Sequence, residues 1–95
     1  QVNVGNESQK SGISPENLET FFKVCTRDLG LNIIGLMCLP PNNLNEEKYF
    51  SQMLSLNKKI NLSDLSMGMS NDYKIAIKYQ STFLRIGSKI FGIRD

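Results

Sequence analysis

The 95-residue chain contains no histidine and no tryptophan, and its two cysteines are too few for a disulfide framework. Without histidine it lacks both the most frequent general acid–base and the commonest zinc ligand. Two thiols alone cannot complete a structural zinc site either. No apolar stretch approaches the roughly 20 residues that span a bilayer. Lys and Arg total 11 against 9 Asp and Glu, a formal charge of +2 that implies no nucleic-acid partner. The start, Gln1-Val2-Asn3-Val4, has no initiator Met and no signal-peptide pattern. It reads as a chain opening in mid-strand, a piece of something larger.

What is present is an alternation of strands and helices. A hydrophobic fraction of 40% with 21% charged residues suits a globular segment. At this length folding buries only about 60–65% of the unfolded surface. After the opening strand, Ser14-Pro15-Glu16 carries stacked helix-start signals, with Ser14 as cap and Pro15 at the first helical position. Leu18, Phe21, Phe22, Cys25 and Leu29 then fall on one helical face, and Gly30 ends the helix. The nearly continuous apolar run from Leu31 to Leu39 predicts a strand covered on both faces.

A second helix follows Asn45 and turns Tyr49, Phe50, Met53 and Leu56 inward. A strand, Asp64-Leu65-Ser66-Met67, passes through a glycine turn into a third helix with Tyr73, Ala76 and Ile77 inward. The last strand, Phe83-Leu84-Arg85-Ile86, leads to Gly87-Ser88 and a short apolar helix. Units of this kind predict βα repeats and a parallel sheet. A doubly wound sheet would be expected to carry a GxGxxG turn, which is absent, and a full (β/α)8 barrel needs about 250 residues. The pattern therefore predicts the C-terminal half of a barrel: one partial domain, residues 1–95, with about four parallel strands. Such a half-barrel would have open edges, through which the chain could self-associate.

In barrels the chemistry sits beyond the C-terminal strand ends, often as a phosphate site after the last two strands. Gly68-Met69-Ser70 and Gly87-Ser88 occupy those places. Either they cradle an anion with backbone N–H groups and hydroxyls, or they are ordinary tight turns and caps. Arg85 stands among strand-core residues, where burial is costly without a partner. It would pair with an anion, donate to a ring nitrogen, or form an ion pair with Asp64 or Asp72. Lys10 lies in a loop on the same rim. Cys25 and Cys38 read as reduced packing residues, since no histidine activates them.

Taken in order, Gln1-Val2-Asn3-Val4, Ser8-Gln9-Lys10-Ser11-Gly12, Ile34-Gly35-Leu36-Met37-Cys38-Leu39-Pro40, Leu65-Ser66-Met67-Gly68-Met69-Ser70 and Ser81 through Gly92 form a specific string. It resembles the C-terminal half of the pyridoxal phosphate homeostasis proteins, the YggS/PROSC family. The resemblance implies a fold-type III barrel like the N-terminal domain of alanine racemase, in a single-domain cytosolic protein. It implies binding of pyridoxal 5′-phosphate and a part in the homeostasis of that vitamin B6 coenzyme, with no established catalytic activity. Carried over by motif, the phosphate-binding serine is Ser70, with Met69 beside it. The closing backbone amides are those of Gly87 and Ser88, and the arginine near the pyridine nitrogen is Arg85. Lys10 is a weaker rim contact. The family's covalent lysine lies on an early strand that this chain lacks, so no lysine here takes that role. Neither a metal, a nucleic acid nor a membrane is expected, and the resemblance names no enzyme that accepts the coenzyme. The alternative implied by the same fold is a piece of an amino-acid racemase.

Overall fold

In the computed structural model, residues 1–8, 11–41 and 45–87 are described. Three short strands, β1 (Gly35–Met37), β2 (Asp64–Met69) and β3 (Phe83–Arg85), form one sheet in the order β1-β2-β3. Both pairings are parallel. Parallel neighbours need a crossover, and here helices supply it: α2 (Glu46–Lys59) between β1 and β2, α3 (Tyr73–Lys78) between β2 and β3. This is the predicted α/β alternation.

The core lies on one face of the sheet. Leu36, Cys38, Leu65 and Met67 point there, against Phe50 and Met53 of α2 and Ala76 of α3. Cys38, Phe50, Met53, Met67 and Ala76 are fully shielded from solvent. Period-two alternation sends Gly35, Met37, Ser66 and Phe83 to the opposite face, where they line an open groove. No described residue covers that face, contrary to the expectation from the run 31–39. Ile34 and Phe83 are each more than half exposed. An apolar run records that both faces tolerate burial, but only packed neighbours provide it.

The expected opening strand is reduced to an isolated bridge between Val2 and Ile13. Val2 N–H still donates to Met37 O (2.8 Å), beside the edge of β1. The chain then turns away at once through Asn6, whose φ is +54° and whose N–H bonds Asn3 O (3.0 Å). Too few residues stay alongside β1 to make a ladder.

The first helix is composite: a 3-10 turn (Pro15–Asn17), α1 (Leu18–Lys23) and a π-helical turn (Val24–Asp28). Ser14 precedes it without capping the backbone; its Oγ instead accepts from Asn17 Nδ2 at 2.9 Å. Leu18 and Cys25 are buried as expected, whereas Phe21 and Leu29 are exposed. The wider π turn shifts the angular phase of the residues beyond it, which turns Leu29 away from the face shared by Leu18 and Cys25. Gly30, at φ +64°, ends the helix as predicted. In α3, Ala76 is buried but Ile77 faces solvent. The predicted helix after Gly87 falls outside the described residues.

Candidate functional site

The site is built where β2 and β3 end side by side. β2 leaves the sheet at Met69, and Asp72 closes a turn on it. Asp72 N–H donates to Met69 O (3.2 Å), and Asp72 Oδ1 accepts from Met69 N–H (2.7 Å). Ser70 and Asn71 are left at the corner. Gly68 makes this geometry possible. Its φ is +107°, and a Cβ there would lie 2.7 Å from Ala76 Cβ and 2.9 Å from Leu84 Cδ2. Only a residue without a side chain lets α3 pack this closely against the end of β2.

The register of β2 and β3 is irregular between Ser66 and Met69: Ser66 pairs with Phe83, and Met69 with Arg85. Two steps along β3 therefore match three along β2, the count of a bulge. Hydroxyls replace part of the ladder. Thr82 Oγ1 accepts from Leu65 N–H (2.8 Å), and Ser81 Oγ donates to Met67 O (2.6 Å).

Arg85 reaches from β3 across the open face of the sheet. Its Nη1 donates to Ser66 Oγ (2.8 Å) and its Nη2 to Cys38 O (2.9 Å), while Nε is buried with no partner. The ion pair with Asp64 or Asp72 that the sequence left open is not formed. Asp72 is engaged by its own turn, and Asp64 stands at the far end of β2. Both acceptors of Arg85 among the described residues are uncharged, so they orient its positive charge without neutralising it.

Met69, Ser70, Asn71, Arg85 and Gly87 line one cleft of about 310 Å³. Four residues singled out from the sequence, Met69, Ser70, Arg85 and Gly87, thus meet. Ser88 and Lys10 lie outside the described residues. Among the described residues, a Cβ placed on Gly87 would meet no atom within 4 Å. Cys25 and Cys38 are buried core residues. Sequence reasoning missed Asn71 and Ser66. The alternation of Ser66 with core-facing Leu65 and Met67 was the available signal for its place on the face of Arg85. Nothing local marked Asn71 beyond its position in the turn.

Comparison with known proteins gives the ancestry. The pyridoxal phosphate homeostasis protein of Aquifex aeolicus is 38% identical over 99% of this chain and 45% of its own length. That of Vibrio cholerae is 39% identical over 100% of the chain and 44% of its own length. The Helicobacter pylori J99 protein of the same name is 42% identical over 96% and 43% respectively. The chain is a homologue of the pyridoxal phosphate homeostasis proteins. It spans somewhat under half the length of these curated relatives.

Solved structures agree. PipY of Synechococcus elongatus PCC7942 with PLP bound superposes with a TM-score of 0.72 at 26% identity, over 88% of this chain and 44% of PipY. PipY without PLP gives 0.75 at 28%, over 90% and 45%. An unknown protein from Bifidobacterium adolescentis gives 0.85 at 28%, over 95% of this chain and 40% of its own. No family model matches the chain. These homologues carry the name of homeostasis proteins rather than of enzymes. Among the described residues no helix is long and apolar enough to cross a membrane.

Proposed function

We propose that this chain forms the phosphate-binding end of a pyridoxal 5′-phosphate site and serves the intracellular homeostasis of that coenzyme without catalysing a reaction. One observation carries the reading: residues chosen from two motifs, 69–70 in one and 85 and 87 in the other, line a single cleft. The donor set suits the coenzyme. A phosphate needs hydrogen-bond donors and the ring nitrogen needs one as well, and the cleft is lined by a hydroxyl (Ser70), an amide (Asn71) and a guanidinium (Arg85). Among the described residues, the buried Nε of Arg85 has no partner and nothing adjoins Gly87, features a ligand would complete. Exposed Met69 supplies an apolar wall for a ring.

Ser70 and the backbone amides of Gly87 and Ser88 would hold the phosphate, Arg85 the ring nitrogen, and Lys10 a place on the rim. When bound, the coenzyme supplies an aldehyde that condenses reversibly with amines and a ring that withdraws electrons. An arginine at the ring nitrogen keeps it unprotonated and weakens that withdrawal, which suits a carrier. No lysine of this chain is assigned as the covalent partner.

In this reading residues 1–95 are the last four βα units of a (β/α)8 barrel of the alanine racemase N-terminal type. The likeness to structures more than twice as long supports it, as does the sheet with one open face. The test is a titration with pyridoxal 5′-phosphate, phosphate-free pyridoxal and inorganic phosphate, monitored by absorbance. Ser70→Ala should weaken the coenzyme and leave pyridoxal unaffected. Equal affinity for pyridoxal and its phosphate would remove the phosphate cradle. Turnover of alanine would replace the carrier with a racemase.

A further inference from the structure

We propose that Ser66 is a positioning residue: together with the Cys38 carbonyl it fixes the Arg85 guanidinium at the cleft, ready for a ligand. This rests on the coenzyme reading above for its purpose, though not for its geometry. An arginine side chain is flexible, and a solvated one would have to be ordered at the moment of binding. Here the ordering is done in advance. Ser66 stands on the central strand, in register with Met37 on one side and Phe83 on the other. Its Oγ takes Nη1 at 2.8 Å while Cys38 O takes Nη2 at 2.9 Å.

The two acceptors are one rigid unit, because Cys38 N–H donates to Ser66 O at 3.2 Å. Cys38 is also fully buried in the core, so its carbonyl is anchored by packing. The guanidinium is therefore held by β2 and by the residue that follows β1, while its side chain leaves from β3. Both acceptors being neutral, the clamp sets direction and keeps the charge. An acid at position 66 would orient Arg85 equally well and cancel what it offers an anion or a ring nitrogen.

Two measurements test this on the chain with Ser66→Ala, Ser66→Thr and Ser66→Val, the last two differing only in the hydroxyl. With ¹⁵N-labelled arginine and no coenzyme added, the Arg85 signal is assigned by its loss in Arg85→Lys. Slow rotation of its terminal nitrogens is expected in the native chain and in Ser66→Thr, and fast rotation in Ser66→Ala and Ser66→Val. Titration with pyridoxal 5′-phosphate should then show about ten-fold weaker binding in Ala and Val, with an altered absorption maximum or pH dependence. Thr should stay within about two-fold of the native chain.

Identical Arg85 dynamics with and without the hydroxyl would overturn the proposal. So would altered dynamics with unchanged affinity, spectrum and pH dependence. Should Ala fail to fold, the Thr and Val pair decides. If the native chain binds no coenzyme, the functional reading falls, while the arginine spectra still decide the clamp.

Discussion

Gly68→Ala is the sharpest perturbation the structure offers. Two costs add. At φ +107° an alanine lies outside the regions open to side chains, a strain of about 1–3 kcal/mol. Its Cβ would also sit 2.7 Å from Ala76 Cβ and 2.9 Å from Leu84 Cδ2. Ala76 is fully buried, so overpacking adds about 1–3 kcal/mol more. The sum, about 2–6 kcal/mol, is a large share of the roughly 5–15 kcal/mol that holds a domain together. Gly30→Ala is the internal control, with φ +64° but no atom within 4 Å of the added Cβ. It should lose only about 1–2 kcal/mol, the left-handed penalty alone. Urea denaturation of both variants with a shared slope measures the difference. If Gly68→Ala loses no more than Gly30→Ala, the close approach of α3 to β2 relaxes freely and the argument fails.

Three further outcomes rest on the same kind of reasoning. Asn57 is only 2% exposed, and its Nδ2 donates to Leu62 O and Asp64 O, each at 3.1 Å. Asn57→Ala should therefore cost about 2 kcal/mol in urea denaturation. Ser81→Ala removes the 2.6 Å bond to Met67 O and the acceptor of Met67 N–H at 3.4 Å, and hydrogen exchange at the amides of β2 should quicken at least several-fold. Glu47 is held below its ordinary value of 4.5, first by the hydrogen bond from Lys78 and then by that from Tyr79. A depressed carboxyl adds stability above its unfolded value and loses it as pH falls through the folded one. Glu47→Gln should flatten the acid limb below about pH 4.5 and change little at neutrality, since the pair is exposed.

The parts of the molecule legible in the sequence were those set by chain order. Met69, Ser70, Arg85 and Gly87 could be brought together because consecutive parallel strands place their ends side by side. Less legible were features that depend on a neighbour's exact position. The π turn at Val24–Asp28 rotates Leu29 out of a face that a uniform 3.6-residue period assigns inward. Asn57 reads as an ordinary polar helix residue, yet it ties the end of α2 to the start of β2. Ser14 has the residue type of a cap, but Asn17 claims its hydroxyl. Nor could alternation alone reveal that Ser81 and Thr82 would hold β2 by their side chains.

The bulge at the end of β2 connects these two classes of information. In a regular strand the side chain changes face at every residue, so Ser66 and Met69, three apart, would point to opposite faces. Met69 would then join Leu65 and Met67 against the helices. The extra residue restores the parity: Ser66 pairs with Phe83 and Met69 with Arg85, and both pairs lie on the open face. Met69 is accordingly exposed and lines the cleft beside Arg85. A bulge needs one residue with an unusual backbone, and Gly68 at φ +107° lies within the interval where the register shifts. The same glycine admits Ala76 and Leu84 to close contact and returns the chain to the site. Removing its freedom should therefore disturb packing and cleft together, so loss of stability and loss of ligand affinity in Gly68→Ala should not be separable.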